Sequence, residues 1–443
     1  MASLLFYTSA YPQPGLAAAD RAASAVHGTV VLDTNETLGA NTTVASPLIV
    51  AGGSIAQGTY SLSFSKQVIA HPVAWLSAAQ AGSVRFAIVP PEFYPEWWGA
   101  LADNVTDSTA GLNACATVLY NHGGVMRMVG YYSTTATIVF KCQFRKSWTV
   151  EAAGAYIRPS GAIWATSWSG SVISVSPRVR GLIIDVAGRW ATGALGGFLI
   201  GDTGAFPRGG FEDCYVSYMG SAISKTYEGW RFNQVAGQGN YWTYLKRCGL
   251  RNDGGGPQMY RNVALYGYQN AVQILECNFD GVDGVAVIRG PGNDGGLSNS
   301  LVISENFFEG CTNCMHIIGN HGDSIQGGVF SQNRCEFDVA GGRGVKFTGV
   351  DTDPTNPNYF TMRDNNYYIY DATFRILEKP STVTVVLAEP LSWTGTNNTY
   401  SIQGAYGQSF GGTISMPNIP ASAGPSGTIW HDPTAGNVVK FVP

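Results

Sequence analysis

Short hydrophobic runs, separated by glycine, asparagine and aspartate, recur through the central part of the chain. Each run is four to seven residues long and rich in β-branched and aromatic residues, and no stretch of 11 residues keeps the 3.6-residue period of a helix. This pattern predicts short strands joined by turns. Examples are "VRGLIIDVAG", "AVQILECNF", "GVAVIRG" and "SLVISENFF".

A cysteine or an asparagine follows a polar residue in six such segments, at intervals of 34, 29, 29, 27 and 32 residues. A helical solenoid has a similar period, but the strand pattern favours coils of three short strands, which use about thirty residues each. Stacked coils place equivalent side chains about 4.8 Å apart in a column. We expect a tight bend there, with asparagine adopting the left-handed backbone. The column is Cys214, Cys248, Cys277, Asn306, Asn333 and Asn365.

The segment "DNVTDSTAGLNACATVLYNHGG" predicts a short helix. Asp107 occupies the position of an N-cap, and the glycine pair after His122 ends the run. Because the open end of a solenoid exposes its apolar interior, we expect this helix to cover the first coil, with Trp97 and Trp98 packed beside it. The apolar face of the helix comprises Leu112, Cys115 and Leu119.

Composition excludes several classes of protein. The chain has 443 residues, of which 13% are charged, 45% are hydrophobic and 12% are aromatic, so a large core is expected rather than disorder. A net charge of −4 gives no electrostatic reason to bind nucleic acid or an anionic membrane. No apolar run approaches the ~18 residues of a membrane helix, and the N-terminus lacks the pattern of a signal peptide, so synthesis in a cytoplasm is expected.

Eight cysteines are too scattered for a disulfide scaffold. Cys311 and Cys314 in "EGCTNCMHIIG" form half of a metal or redox motif, but no second CxxC accompanies them. We therefore expect small buried thiols, and the sequence predicts neither a metal site nor a cofactor. The piece "DTDPTN", at 351 to 356, is interpreted as a turn because the rest of a calcium loop is missing.

Three blocks, "PEWWGA", "LADNVTDSTAGLNA" and "GGVMRMVGYY", occur in this order within about forty residues. As an ordered set they resemble the N-terminal motif of the pectate-lyase-like β-helix family of phage tailspikes and bacterial surface polysaccharide enzymes. Ala102 and Asn104 stand where that motif has glycines. The resemblance implies an all-β fold, a right-handed parallel β-helix with a short capping helix and extended terminal segments.

Four regions follow from these patterns: an attachment or capping segment with a helix at 1–28, strand-rich turns at 29–95, a β-helix at 96–410, and a Pro/Gly-rich tail or small capping module at 411–443. The last piece, "AGPSGTIWHDPTAGNVVKFV", resembles short terminal modules of phage structural proteins.

The family resemblance implies a homotrimeric receptor-binding protein of a phage tail, with a host surface polysaccharide and other virion proteins as partners. A non-catalytic virion fibre or spike is the alternative, and a secreted bacterial polysaccharide lyase is the third. Because β-helices serve enzymes and inert fibres alike, the sequence leaves open whether the polysaccharide is cut. For a depolymerase, hydrolysis is expected before lyase elimination.

Two acidic pairs are the candidate catalytic residues. Glu276 and Glu305 each precede a column residue, and Asp280 and Glu309 each follow one by three positions, so each pair should lie on neighbouring coils. Two carboxyl groups at such spacing suit the general acid and the nucleophile or base of a glycosidase. The alternative interpretation is that solvated turns simply contain Asp and Glu.

Aromatic residues cluster around "YEGWRFNQVAGQGNYWTYLKR". Flat rings stack on sugar faces, and polar side chains beside them bond hydroxyl groups. The candidate carbohydrate-binding residues are Trp230, Arg231, Trp242 and Tyr244, although a core or subunit-interface role is equally compatible with the pattern.

Overall fold

The computed structural model of the chain describes residues 4–142, 146–160, 163–170, 177–186, 196–201, 206, 208–218, 228–233, 240–252, 260–280, 282–288, 298–319, 325–337, 341–348, 359–369, 375–378, 384–387, 392–394, 402–403, 429–432 and 438–441. Two compact units divide between Tyr260 and Arg261. Within these ranges, no helix has the length and apolar character needed to cross a membrane.

Unit 1, up to Tyr260, contains three parallel sheets that are visited in the order A, B, C by each coil. Sheet A comprises Gly124–Arg127, Trp148–Glu151, Arg178–Arg180, Gly210–Glu212 and Tyr244–Lys246. Sheet B comprises Asp103–Asp107, Tyr131–Thr134, Tyr156–Pro159, Ile183–Asp185, Tyr215–Tyr218 and Gly249–Asn252. Sheet C comprises Ile138–Cys142, Trp164–Gly170, Gly196–Ile200 and Glu228–Phe232.

Unit 2, from Arg261, has the same three-sheet coil. Its sheet A comprises Gln273–Leu275, Val302–Ser304, Gly328–Ser331, Tyr359–Arg363 and Thr384–Leu387. Its sheet B comprises Asn278–Asp280, Phe307–Glu309, Arg334–Phe337, Asn366–Ile369 and Ser392–Thr394. Its sheet C comprises Arg261–Tyr266, Asp283–Ile288, Asn313–Ile318, Arg343–Thr348, Arg375–Glu378 and Ile402–Gln403, and a separate parallel pair joins Ser298–Asn299 to Ile325–Gln326.

The interior is a set of columns in which like side chains stack from coil to coil. In sheet A of unit 1, Val150, Val179, Phe211 and Leu245 lie in register and are fully buried. Because inward and outward residues alternate along each strand, each coil adds one buried apolar side chain to such a column. The predicted parallel β-helix is thereby confirmed, and the helical solenoid is excluded.

The bend between sheets A and B uses two residues. The first has a left-handed backbone and the second begins the buried column. The left-handed residues include Asp213, Arg247, Glu276, Glu305, Gln332 and Asp364, with φ between 51° and 60°. The column prediction is confirmed, but assigning the left-handed conformation to its asparagines is wrong, because the exposed residue before each of them adopts it.

The buried asparagines form a ladder along this bend in unit 2. The Asn306 Oδ1 atom accepts a 2.9 Å bond from the backbone N–H of Cys277, which places these two residues on neighbouring coils. In the same way, the Asn333 Oδ1 atom accepts the backbone N–H of Asn306, and the Asn365 Oδ1 atom accepts that of Asn333, each at 3.0 Å. Because each amide also donates to a backbone carbonyl of the preceding coil, the side chains satisfy buried backbone groups.

The N-terminal region forms strands in short coils of its own. A four-stranded parallel sheet contains Leu5–Tyr7, Thr29–Leu32, Leu48–Val50 and Val68–Ala70; smaller parallel sheets pair Glu36–Thr37 with Ile55–Ala56, and Thr42–Val44 with Leu62–Phe64 and Val84–Phe86. Helix α1, Leu16–Ala25, covers the first of these coils: the Asp20 carboxylate accepts the backbone N–H groups of Ala45 and Ser46. The predicted helix near the N-terminus is therefore present. Short 3₁₀ helices span Thr8–Ala10, Ala78–Ser83 and Pro95–Trp98.

Helix α2, Thr109–His122, lies against the edge of sheet C in unit 1, where Asn113 accepts the backbone N–H of Val139 at 2.8 Å. The N-cap residue is Ser108 rather than the expected Asp107, although the Asp107 carboxylate accepts the Thr109 N–H at 3.0 Å. The predicted apolar face is buried, as are Trp97 and Trp98.

Two blocks of the N-terminal motif are in direct contact. The Tyr132 hydroxyl donates a 2.5 Å hydrogen bond to the half-buried Glu96 carboxylate. Burial raises the pKa of Glu96, and burial together with the nearby Glu96 raises the pKa of Tyr132. The spacing of the motif therefore has a structural reason, because it brings the "PEWW" block against the "VGYY" block one coil later.

In the C-terminal region, Ile429–Asp432 and Val438–Phe441 form an antiparallel hairpin. The remainder of the expected tail lies outside the described residues, as does the turn at 351 to 356.

Candidate functional site

Glu276 and Glu305, the first predicted acidic pair, occupy the left-handed position of the A–B bend on successive coils. Both are exposed, and their backbone N–H groups donate to carbonyls of the next coil, those of Ser304 and Ser331. Their position is thus explained by the geometry of the bend, which needs an exposed residue with positive φ. Their catalytic role stays a prediction.

Asp280 and Glu309, the second pair, lie in register on adjacent strands of sheet B and are followed by Glu336 on the next strand. Phe279 precedes Asp280 and Phe308 precedes Glu309, and both rings are buried in the core. Because side chains alternate along a strand, the two carboxyl groups face outward. The structure therefore brings each predicted pair together, but it places the two pairs at opposite ends of the sheet B strands.

Arg334 completes this outer face of sheet B. Its guanidinium donates to Glu336 at 2.9 Å and lies over the rings of Phe307 and Tyr368, at 5.1 and 4.6 Å from their centroids. The outer face of sheet B in unit 2 therefore has carboxylates beside aromatic rings, and the Arg334 guanidinium contacts both. Such a combination of flat rings and charged groups is suited to sugars.

Trp230 requires a correction. Its side chain is 0% exposed and stacks on Phe198 inside the coil, with ring centroids 5.2 Å apart. A ring in the core has no face available to a ligand, so the expectation of carbohydrate contact is wrong for Trp230. Arg231, the next residue, points outward because side chains alternate along a strand, and its Nε donates to Asn233 at 2.9 Å.

Trp242 has the opposite environment. Its side chain is 50% exposed, and the guanidinium of Arg208 lies 4.8 Å from the ring centroid. Both residues have positive φ, 53° for Trp242 and 54° for Arg208, an uncommon conformation for large side chains. They occupy equivalent positions before successive strands of sheet A, and an exposed ring held beside a cation is the result.

Tyr244 follows Trp242 by two residues and lies across the preceding strand. A Cβ on Gly210 would be 2.0 Å from the Tyr244 ring, so only glycine permits this close approach. The Tyr244 hydroxyl donates to Glu212 at 2.6 Å, and burial together with this bond raises its pKa to about 12. Burial alone would raise the pKa of Glu212, but the bonds from Tyr244 and Arg180 outweigh it and lower that pKa.

Charges alternate along the outer face of sheet A in unit 1. Arg180 bonds Glu212 at 3.0 Å and lies 3.6 Å from Glu151. Arg178, two residues before Arg180 on the same strand, is exposed. The residues in register are Arg127, Glu151, Arg180, Glu212 and Lys246. We call the set formed by Arg180, Arg208, Glu212, Trp242 and Tyr244 the sheet A patch.

The sequence reasoning found two members of the sheet A patch, Trp242 and Tyr244, and missed the other three. A signal was present, because "RVR", "GFE" and "YLK" share a pattern in which a buried apolar residue separates two outward positions. The hydrogen-bonded pairs Arg180–Glu212 and Glu212–Tyr244 are both separated by 32 residues, one coil. A search for outward residues at the coil period would have joined them.

Cys311 and Cys314 are fully buried, and burial raises the pKa of the Cys314 thiol well above its usual value. Neutral thiols in the core are poor metal ligands. Among the residues that the structure describes, no group of three or more His, Cys, Asp or Glu is arranged to hold a metal ion.

No family model matches the sequence, and no curated protein matches it. Solved structures similar to the chain include an alginate lyase from Paenibacillus sp. str. FPU-7, with 10% identity and a TM-score of 0.41, covering 66% of this chain and 97% of that chain. PfbA, a surface adhesin of Streptococcus pneumoniae, has 10% identity and a TM-score of 0.41, covering 79% of this chain and 99% of that chain.

A mutant tailspike protein of E. coli bacteriophage HK620, in complex with a pentasaccharide, has 10% identity and a TM-score of 0.44, covering 69% of this chain and 61% of that chain. The chain therefore spans about three fifths of that tailspike's length. The parallel ladders of the chain itself establish the β-helix, and likenesses at these TM-scores carry no argument about function.

Proposed function

We propose that the protein is a receptor-binding β-helix of the phage tailspike type that recognises a host surface polysaccharide. The observation that carries this proposal is the sheet A patch, where the half-exposed Trp242 ring lies beside Arg208 and two residues from Tyr244. The left-handed backbone of Trp242 belongs to the bend before the sheet A strands, since Arg208, Ala271 and Ser300 share it. What singles out Trp242 is its half-exposed ring, which offers a flat apolar face to a sugar ring.

The polar members of the patch would fix the orientation of the sugar. Glu212, Tyr244 and Arg180 are already bonded to one another, so their donors and acceptors are held in place before a ligand arrives. Arg178 and Arg208 add exposed positive charge beside them. This balance favours a polysaccharide that carries carboxylate or other anionic groups.

Binding of purified bacterial surface polysaccharides tests the proposal. We expect Trp242→Ala to weaken binding by about fivefold to thirtyfold, because a stacked aromatic ring contributes on the order of 1–2 kcal/mol. Tyr131→Ala is the matched control, since Tyr131 is 43% exposed on sheet B and stacks on Tyr156 with centroids 4.4 Å apart. Equal affinity of the Trp242→Ala variant and the unaltered protein would contradict the proposed site.

Hydrolysis of the polysaccharide is the second candidate function, and the register of Asp280 and Glu309 favours it. Adjacent strands are about 4.8 Å apart, close to the ~5–5.5 Å between the carboxyl groups of retaining glycosidases. We expect Asp280→Asn or Glu309→Gln to abolish the formation of new reducing ends. The Glu276→Gln, Glu305→Gln double variant tests the other pair, and absorbance of unsaturated uronate would indicate a lyase instead.

A homotrimer in the virion tail belongs to the same proposal and is supported by the resemblance of the N-terminal motif. Native mass spectrometry of the purified protein should give the mass of three chains. A monomer at micromolar concentration would contradict the trimer, leaving polysaccharide recognition to be judged by the binding measurement.

A further inference from the structure

Three polar side chains of unit 2 are hydrogen-bonded in a chain across consecutive strands of sheet C. The His316 Nδ1 atom lies 3.2 Å from both carboxylate oxygens of Asp283, and its Nε2 atom lies 3.0 Å from the Thr348 hydroxyl. The strands Asp283–Ile288, Asn313–Ile318 and Arg343–Thr348 are neighbours in the sheet. A hydroxyl, an imidazole and a carboxylate in this order form the geometry of a nucleophile, its base and the group that orients the base.

Solvent exposure rises from Asp283 through His316 to Thr348, as expected for a nucleophile that must meet a substrate. The Asp283 side chain is 3% exposed, the His316 side chain is 15% exposed, and Thr348 is exposed at the end of its strand. A substrate can therefore reach the hydroxyl, while the carboxylate that orients the imidazole is shielded from water.

Asp283 has two further partners. Asn313 donates to its Oδ1 atom at 2.6 Å, and the Nε atom of Arg261 lies 3.6 Å from its Oδ2 atom. A buried carboxylate is costly unless it is paired, and these contacts compensate the charge. They also fix the position of the two oxygens that face the His316 Nδ1 atom.

The strand register identifies the neighbours of His316 and Thr348. Val285, Met315 and Val345 are in register and buried, so His316 and Thr348 belong to the outer face of sheet C. Small Ala286 is in register with His316 on the preceding strand, and half-buried Ile318 is in register with Thr348 on its neighbouring strand.

We propose that Thr348, His316 and Asp283 form an acyl-transfer site that removes short O-acyl groups from the bound polysaccharide. The polysaccharide as substrate rests on the proposed function, whereas the esterase chemistry rests on the geometry alone. Ile318 offers an apolar contact for a small acyl chain such as acetyl.

The reaction follows from the positions of the protons. The imidazole of His316 keeps its Nδ1 proton in a hydrogen bond to Asp283. Its Nε2 atom accepts the Thr348 proton while the Thr348 oxygen bonds to the ester carbonyl carbon. The bond from that carbon to the sugar oxygen then breaks, and His316 gives the proton to this leaving oxygen, which becomes the sugar hydroxyl. Water, deprotonated by His316, then attacks the acyl carbon of the acyl-threonine. The bond from that carbon to the Thr348 oxygen breaks, His316 returns the proton to this oxygen, and the carboxylic acid leaves.

Turnover of p-nitrophenyl acetate tests the site without any need for polysaccharide binding. We expect Thr348→Ala and His316→Gln each to lower turnover by at least about 100-fold, with Thr348→Ser restoring part of it. Thr361→Ala, on a sheet A strand of the same unit, is the matched control and should leave turnover unchanged. After acid quenching, peptide mass spectrometry should find an acetyl group on Thr348.

Three outcomes separate the two proposals. Turnover that is absent, or unchanged in a folded Thr348→Ala variant, overturns the acyl-transfer site. Turnover that depends on Thr348, accompanied by acetate release from an O-acetylated polysaccharide, supports both the site and its substrate. Turnover that depends on Thr348 without acetate release from any polysaccharide supports the chemistry and overturns the polysaccharide as substrate.

Discussion

The A–B bend and the outer face of sheet C in unit 2 use polar residues in different ways. At the bend the same side chain recurs on successive coils, and Asn306, Asn333 and Asn365 bond mainly to backbone groups of neighbouring coils. On sheet C the register positions hold Ala286, His316 and Lys346, which are unlike one another, and the bonds of His316 run to other side chains.

This difference indicates which polar residues maintain the fold. A side chain that repeats at the coil period satisfies a requirement that every coil has, such as an unpaired backbone N–H at a bend. A polar side chain that appears once has no such requirement to explain it. Candidate chemistry is therefore better sought where the repeat fails, as at His316 or Trp242.

The largest predicted effect is loss of stability in Asn333→Ala. Asn333 is fully buried, accepts from the backbone and side chain of Asn306, and donates to the Ile303 carbonyl. Several buried groups would lose their partners, so we expect the free energy of unfolding to fall by about 3 kcal/mol or more. Chemical denaturation measures it, and Asn278→Ala, at an exposed strand position, should cost under about 0.5 kcal/mol.

A smaller loss is expected where the same column contains cysteine. Cys248 is buried, and its thiol donates a weak 3.3 Å bond to the Phe211 carbonyl. Because Cys248→Ala removes little volume and no strong hydrogen bond, we expect a loss of about 1 kcal/mol in unfolding experiments. A loss equal to that of Asn333→Ala would show that the column depends on packing rather than on the amide ladder.

Glycine substitutions distinguish bend from strand. Glu305 has φ of 60°, where glycine is favoured, so Glu305→Gly should be more stable than Glu305→Ala by about 1 kcal/mol. Glu309 lies in a strand, where the sign reverses and alanine should be the more stable substitution. Thermal unfolding of the four variants measures both differences. The same sign at both positions would contradict the assigned bend.

The smallest effect is a dependence of stability on pH in the sheet A patch. Because the pKa of Tyr244 is raised to about 12, its contribution to stability is present below the unfolded value near 10 and is lost as the pH rises toward 12. The pKa of Glu212 is lowered, so its contribution is lost as the pH falls below about 4. Tyr244→Phe should flatten the alkaline loss in unfolding curves measured between pH 9 and 12.

The sequence alone predicted the coil, the column, helix α2 and the pairing of each acidic pair, because all of these follow from spacing. It could not place Trp230 in the core, since alternation along an isolated strand does not say which face is inward. Nor could it join Asp283, His316 and Thr348, because their separations of 33 and 32 residues become informative only once the strand register is known.

The most direct measurement compares two variants in one ester-turnover experiment. His316→Gln removes a residue that stands outside the repeat, and the Glu276→Gln, Glu305→Gln double variant alters two residues of the repeated bend. We predict that p-nitrophenyl acetate turnover is lost in the first and retained in the second, with both proteins folded. Retained turnover in His316→Gln, or its loss in the double variant, would contradict the assignment of chemistry to the residues that break the repeat.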